Sequence, residues 1–243
     1  MGTQIHIMNL EIDLLAEDTL LSKIQEYLSN DYLNVVHLVS MDDIQENNNE
    51  TYHVMEGADL VLPGERAILS AHHVDVLESG GMVVDYNGLF QVMKDIDLEG
   101  KKCYFVIRTK KEAKSFYRII RGMKMGCEGV GIYAADSDLA EASLINDINS
   151  KVPDIIYLAL ERGEQEKWIS ENRAKLNAKI CICVGSVLSM IRMDNPAIPG
   201  WIRVLHLSRA YKAILRFPAS HFFRKRIFQK KMADYNNKKQ SGE

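Results

Sequence analysis

Apolar and polar positions change period along this chain, and each change marks an element. QIHIMNLEIDLL, Gln4 to Leu15, alternates as a strand or hairpin does. AEDTLLSKIQEYLSN follows with Leu20, Leu21, Ile24 and Leu28 on one side of a helix. LNVVHLVS is a continuous apolar run, a buried strand ending at Ser40. The polar stretch from Met41 to Ala58 predicts partial helix, DLVLP a short strand, and GERAILSAHHVDVL a turn leading into a helix. Strand and helix then alternate: KKCYFVIRT before KKEAKSFYRIIRGM, and GVGIYAA before DLAEASLINDINSK, with Ser137 or Asp138 as the helix cap. DIIYLAL, EQEKWISENRAKL and KICICVG complete the series. The alternation predicts an α/β fold, a Rossmann-like, mostly parallel sheet with helices on both faces.

Charge adds a boundary. Between Asn195 and Ala233 there are nine Lys or Arg residues and no acid, so a net charge of −3 leaves −12 for the rest of the 243 residues. A block of one sign marks a separate surface or a tail. From Trp201 to Arg216, Val204, Leu207, Tyr211, Ile214 and Leu215 share one helical face, with His206, Arg209, Lys212 and Arg216 opposite. SHFFRKRIFQKKM then mixes Phe222, Phe223, Ile227 and Phe228 with cations. That composition suits a helix on an anionic membrane surface. A packed terminal helix and single-stranded nucleic acid are the alternatives, and nucleic acid is not the expected partner. The expected organisation is an α/β domain over 1–200, a basic amphipathic helical appendage over 201–232 and a disordered tail over 233–243. No apolar run reaches the ~18 residues of a membrane span, and the N-terminus lacks the layout of a secretory signal. Cys103, Cys181 and Cys183 lie in apolar strands, as core thiols do. The expected location is cytoplasmic, peripheral at the inner face of the cell membrane.

Candidate chemistry gathers where a buried strand empties into a charged turn, ALERGEQEKW, Ala159 to Trp168. Open α/β sheets bind ligands at the carboxyl ends of their strands. Acidic residues in a first helical turn are also favoured by the helix dipole alone. His72 and His73, read as helical, point about 100° apart, a poor geometry for sharing a metal. His37, inside an apolar strand, reads as a satisfied core histidine. Asp42 and Asp43 read as a dipole-favoured first turn, and neither a metal nor another cofactor is expected.

Several segments together resemble the WecG/TagA/CpsF glycosyltransferases: NLEIDLLAEDTLLSKI, ADLVLP, NSKVPDIIYLALERGEQEKWI, CVGS and IPGWIRVLHLSRAYKAILRFPASHFFRKR. The resemblance runs from about Ile5 to Phe228. It implies transfer of an N-acetylhexosamine from a UDP-sugar to a polyprenyl-diphosphate-linked acceptor, in bacterial surface polysaccharide or teichoic acid synthesis. Gln165, Glu166, Lys167 and Trp168 match the family pattern. The turn before them does not: the resemblance implies Gly, a small residue, Pro and a cation, where this chain has Glu161, Arg162, Gly163 and Glu164. The family's catalytic Asp after the ADLVLP-like strand is Gly64 here, with Glu65 next. Its Thr-x-Asn is Ser40 and Asp42, its Gly-Gly turn after CYFVI is Arg108 to Glu112, and the second Gly of its CVGG is Ser186.

Two functions follow. In an active transferase, Glu65 is the general base, Ser40 and Asp42 orient the acceptor or the sugar, and Gln165 and Glu166 contact substrate. Arg224 and Arg226 then neutralise the departing diphosphate. In a non-catalytic relative, the fold persists as a partner protein at the membrane, either a homo-oligomer or bound to a sibling transferase. The changed loops favour loss or strong alteration of the ancestral activity.

Overall fold

The computed structural model describes residues 3–46, 48–78, 80–123, 126–135, 141–194 and 219–241. They divide into two compact units, Met1–Val187 and Leu188–Glu243.

The first unit is built on six strands: β3 (Asn34–Val39), β4 (Leu60–Pro63), β5 (Lys102–Ile107), β6 (Glu128–Ala134), β7 (Ile155–Ala159) and β8 (Ile180–Cys183). Their order is β4-β3-β8-β7-β5-β6, and every pairing is parallel. The chain leaves β3 toward one edge and β5 toward the other, and β7 and β8 return between them. The expected α/β fold is what forms. β3, β4, β7 and β8 are buried along their whole length. A parallel sheet covered on both faces requires the unbroken apolar runs seen in the sequence. A hairpin of β1 (Thr3–Ile7) and β2 (Leu10–Leu14) lies outside this sheet. Its Asp13 accepts the Val61 N–H at 2.8 Å, which protects the β4 edge.

Helices cover both faces. Leu144 and Ile148 of α7 (Glu141–Lys151) and Trp168 and Ile169 of α8 (Glu164–Asn172) pack on Tyr104, Val106, Ile156, Leu158, Cys181 and Cys183. The partly buried Val54 of α3 (Asn49–Glu56) joins them. On the other face the Phe105 and Tyr157 rings stack at 5.3 Å. Phe116 of α6 (Lys110–Gly122) meets Tyr157 edge-on at 5.7 Å, and Phe90 of α5 (Tyr86–Asp95) stacks on it at 6.4 Å. α1 (Glu17–Ser29) packs beside α5 and buries Leu20, Ile24 and Tyr27. Each such large side chain contributes about 1.5–3 kcal/mol on burial.

The elements differ in detail from those expected. α5 was not anticipated: Asp85 caps it by accepting the Asn87 and Gly88 N–H groups, a turn-like signal in the sequence. The helix expected through Leu77 stops at Ala71, the end of α4 (Arg66–Ala71), and His73 takes φ 56° beyond it. His72 and His73 are therefore turn residues, and the helical geometry expected of them does not apply. In the second unit, α9 (Leu188–Asp194) begins before residue 200, so the compact division falls at Val187. The last helix, α10 (Ala219–Ser241), carries helical backbone through most of the tail expected to be disordered. α10 is also not amphipathic in the simple sense. Phe223 and Ile227 form an exposed stripe, and Phe228 and Met232 a buried one about 140° away around the axis. The expected helix over 201–216 and the caps at Ser137 and Asp138 lie outside the described residues.

Candidate functional site

The carboxyl ends of β3, β4, β7 and β8 lie side by side, and the turns leaving them form two polar networks. The first surrounds the start of α2 (Met41–Glu46), which follows β3 directly. Asp43 Oδ2 accepts the Ser40 N–H at 2.7 Å and its hydroxyl at 2.8 Å. Asp43 Oδ1 accepts the Ser186 hydroxyl at 3.1 Å. Arg162 Nε lies 2.6 Å from the same oxygen, and the guanidinium also pairs with Glu46 and lies 3.9 Å from Asp42. Glu65 Oε1 accepts the Met41 N–H at 2.9 Å. The Tyr52 hydroxyl donates to the Asp43 and Ile44 carbonyls at 3.1 Å, and burial with the nearby Asp43 charge pushes its pKa up to about 12. Helix starts leave N–H groups without intrahelical partners. At the start of α2, Glu65 accepts the N–H of Met41 and the Ser40 hydroxyl that of Asp43.

The second network ties β3 to the β7 and β8 turns. His37 Nε2 lies 2.9 Å from Glu166 Oε1, with both side chains buried. Gln165 donates to Glu166 Oε1 at 3.2 Å and accepts the Gly185 N–H at 2.9 Å. Glu166 Oε2 accepts the Gly163 N–H at 2.6 Å. Burial opposes the charge on Glu166. The bond to His37, the charge on that ring and the backbone N–H groups outweigh it, and its pKa falls below the usual value. His37 Nδ1 has no hydrogen-bond partner.

Two glycines set close approaches here. A Cβ at Gly185 would lie 2.3 Å from the Leu160 carbonyl oxygen, so the β8 turn passes directly against the β7 turn. A Cβ at Gly64 would lie 2.4 Å from Val187 Cγ1 and 2.7 Å from the Val39 carbonyl oxygen. The Val187 side chain fills the space in front of Gly64.

The sequence pattern of the glycosyl transferase WecG/TagA/CpsF family matches residues 5–225. The chain belongs to this family. Among curated proteins none matches it.

Gly163 takes φ 79°, which favours glycine and is closed to proline, so the turn before Gln165 depends on it. The turns after β5 and β7 bind each other: Arg108, after β5, pairs with Glu112 and with Glu161, after β7. These partners hold the Arg108 guanidinium in its charged form, its pKa raised chiefly by Glu112. A cavity of about 310 Å³ opens between α7 and α8, lined by Val106, Tyr133, Glu164, Lys167, Trp168 and Glu171 among others.

The structure thus brings Ser40, Asp42 and Glu65 together at the α2 start. Gln165 and Glu166 lie in the separate network with His37. Arg224 and Arg226 lie on α10 of the second unit, the first half-buried and the second exposed. Ser40 and Glu65 have 0% and 1% of their surface exposed. Of the residues assigned chemistry from sequence, Asp42 and Arg226 face water most. Sequence reasoning missed Asp43 as the hub of the first network, Arg162 as its cation and Ser186 as its second hydroxyl. The Ser-x-x-Asp spacing of Ser40 and Asp43 resembles a capping box and was the available signal. Among the described residues, no three His, Cys, Asp or Glu side chains come together as a metal site.

Proposed function

We propose that this WecG/TagA/CpsF-family protein has lost or strongly altered the transfer of an N-acetylhexosamine from UDP to a lipid-linked acceptor. In this reading it acts as a family-fold partner protein at the inner face of the membrane, in surface polysaccharide or teichoic acid assembly. The observation that carries the reading is the closure at positions 64 and 65. Val187 occupies the space that an acidic side chain at 64 would need. Glu65 is buried with a carboxylate oxygen already accepting Met41 N–H. A general base must reach the proton it removes, and this carboxylate does not reach solvent.

Ion pairing supports the same reading: the Arg108 and Arg162 guanidiniums are already engaged by Glu112, Glu161, Asp42, Asp43 and Glu46, which compete with a diphosphate for them. Membrane contact is supported by the exposed Phe223 and Ile227 on α10, with the exposed Arg226 and Lys230 on the same side of the helix. Calorimetry with UDP and UDP-N-acetylhexosamines is the test. Millimolar or undetectable binding is expected, and micromolar binding of UDP-N-acetylmannosamine would restore the active transferase.

The cavity beside Trp168 favours a second reading, an altered but active transferase that takes its donor there. Glu65→Gln separates the two. In an active enzyme with Glu65 as base, turnover drops by about two to four orders of magnitude.

A further inference from the structure

α6 is the most sharply two-sided helix of the first unit. Ala113, Phe116, Ile119 and Ile120 are buried against the sheet. Lys110, Lys111, Lys114, Arg118 and Arg121 are all exposed. At 100° per residue these five cations fall within an arc of about 100° and span about 17 Å along the axis. The single acid of the helix, Glu112, is turned inward and held by Arg108. Several other surface cations of this unit meet carboxylates: Lys101 with Asp154, Lys151 with Asp147, Arg173 with Asp59 and Lys179 with Asp31. Lys111, Lys114, Arg118 and Arg121 make no ion pair among the described residues. A net charge of −3 makes such a concentration the more pointed.

We propose that the outer face of α6, through Lys111, Lys114, Arg118 and Arg121, is a docking surface for anionic phospholipid headgroups. It is separate from α10 and adds a contact to the membrane reading given under Proposed function, on which it rests. The shape of the stripe selects the partner. A straight row on a convex helix meets a planar anionic surface along its whole length, and each cation near such a surface adds to the attraction. Nucleic acid recognition without sequence preference adds aromatic platforms for the bases, and this face has none. Phe116 is buried, and Tyr117 is half-buried with its ring edge-on to Phe105 at 5.5 Å. Ile132, 47% exposed on β6 beside α6, offers an apolar contact at the margin.

The test is co-sedimentation of the full chain with vesicles of phosphatidylcholine alone and of phosphatidylcholine with phosphatidylglycerol. One variant carries Lys111→Glu, Lys114→Glu, Arg118→Glu and Arg121→Glu. A second replaces the same four residues by Gln, in case reversal disturbs folding. A third carries Arg224→Gln, Arg226→Gln and Lys230→Gln on α10. The α6 variants are expected to lose at least about tenfold in partitioning to anionic vesicles. Weak binding to neutral vesicles should be unchanged. Wild-type binding should fade between 0.1 and 1 M salt, as the Debye length falls from about 10 to about 3 Å. Wild-type partitioning in both α6 variants overturns the proposal, as does a wild type that ignores anionic vesicles. Loss in the α6 variants with none in the α10 variant overturns the α10 contact and leaves the α6 surface standing. Binding of a single-stranded or duplex oligonucleotide that the α6 variants lose, with vesicle binding intact, assigns the stripe to nucleic acid and overturns it as a lipid contact.

Discussion

The two halves of the sheet's carboxyl edge are held by the same chemistry in opposite surroundings. Between β3, β8 and the start of α8, two carboxylates are buried and well partnered: Glu166 by His37, Gln165 and the Gly163 N–H, Asp43 by Ser40, Ser186 and Arg162. Around β5 and β7 the pair of Arg108 and Glu161 stands in water, with 41% and 59% of the side chains exposed. Buried charge is costly to orphan, because the partner left behind has no water to turn to. Exposed pairs are screened and contribute about 0–1 kcal/mol. The first half is therefore buried structure whose partners depend on one another. The second half is a replaceable surface.

The sharpest way to break this contrast is Glu166→Ala. It strands His37 in the core and should cost about 3–5 kcal/mol in urea unfolding. Because the folded pKa of Glu166 lies below its ordinary value of 4.5, its contribution is complete above that value and is lost as pH falls through the lowered folded value. The variant should therefore lose less stability than wild type between pH 5 and strongly acidic conditions. A loss below about 1 kcal/mol at neutral pH would mean that the two halves do not differ.

Gly64→Asp comes next. Overpacking against Val187 and the Val39 carbonyl should cost about 3 kcal/mol and yield no transferase activity. Adding Val187→Gly should recover part of that loss in thermal melts, since the clash is shared. Full additivity of the two changes would show that the side chains do not compete for one space.

Asp43→Asn keeps the shape but removes the charge that receives Arg162. About 2 kcal/mol of stability should be lost, the range for hydrogen bonds to a charged group. The smallest effect is expected for Arg108→Ala with Glu161→Ala. A double-mutant cycle should give a coupling of less than about 1 kcal/mol that disappears in 1 M salt. A coupling above 2 kcal/mol would place this pair with the buried half.

Much of the framework was legible in the sequence. Runs such as NVVHLV and ICIC can be buried on both faces only as inner parallel strands, so composition and length nearly force their state. α5 was harder, since its start depends on an Asp85 cap that resembles a turn. Of the candidate site, the sequence placed its residues in turns at the strand ends and could not say which way their side chains faced. Ser40 and Glu65 carry chemistry suited to catalysis, yet the Ser40 hydroxyl accepts the Asp43 N–H and Glu65 accepts the Met41 N–H at the α2 start. Local spacing hints at the first bond, whereas the second joins residues that follow different strands and is invisible to local sequence.

The sequence by itself determined the strand and helix periods, the two-sided α6, the basic C-terminal block and membership in a fold with glycine-poor turns. Those properties are written in the spacing of apolar residues and the sign of charges, which act over one or two turns of chain. Tertiary structure alone decided that Val187 stands in front of Gly64, that Arg108 meets Glu161 and that His37 meets Glu166. These partners are 53 to 129 residues apart in the chain. Only the parallel order β4-β3-β8-β7-β5-β6 brings their turns to one edge, where contact and burial set what each side chain can do.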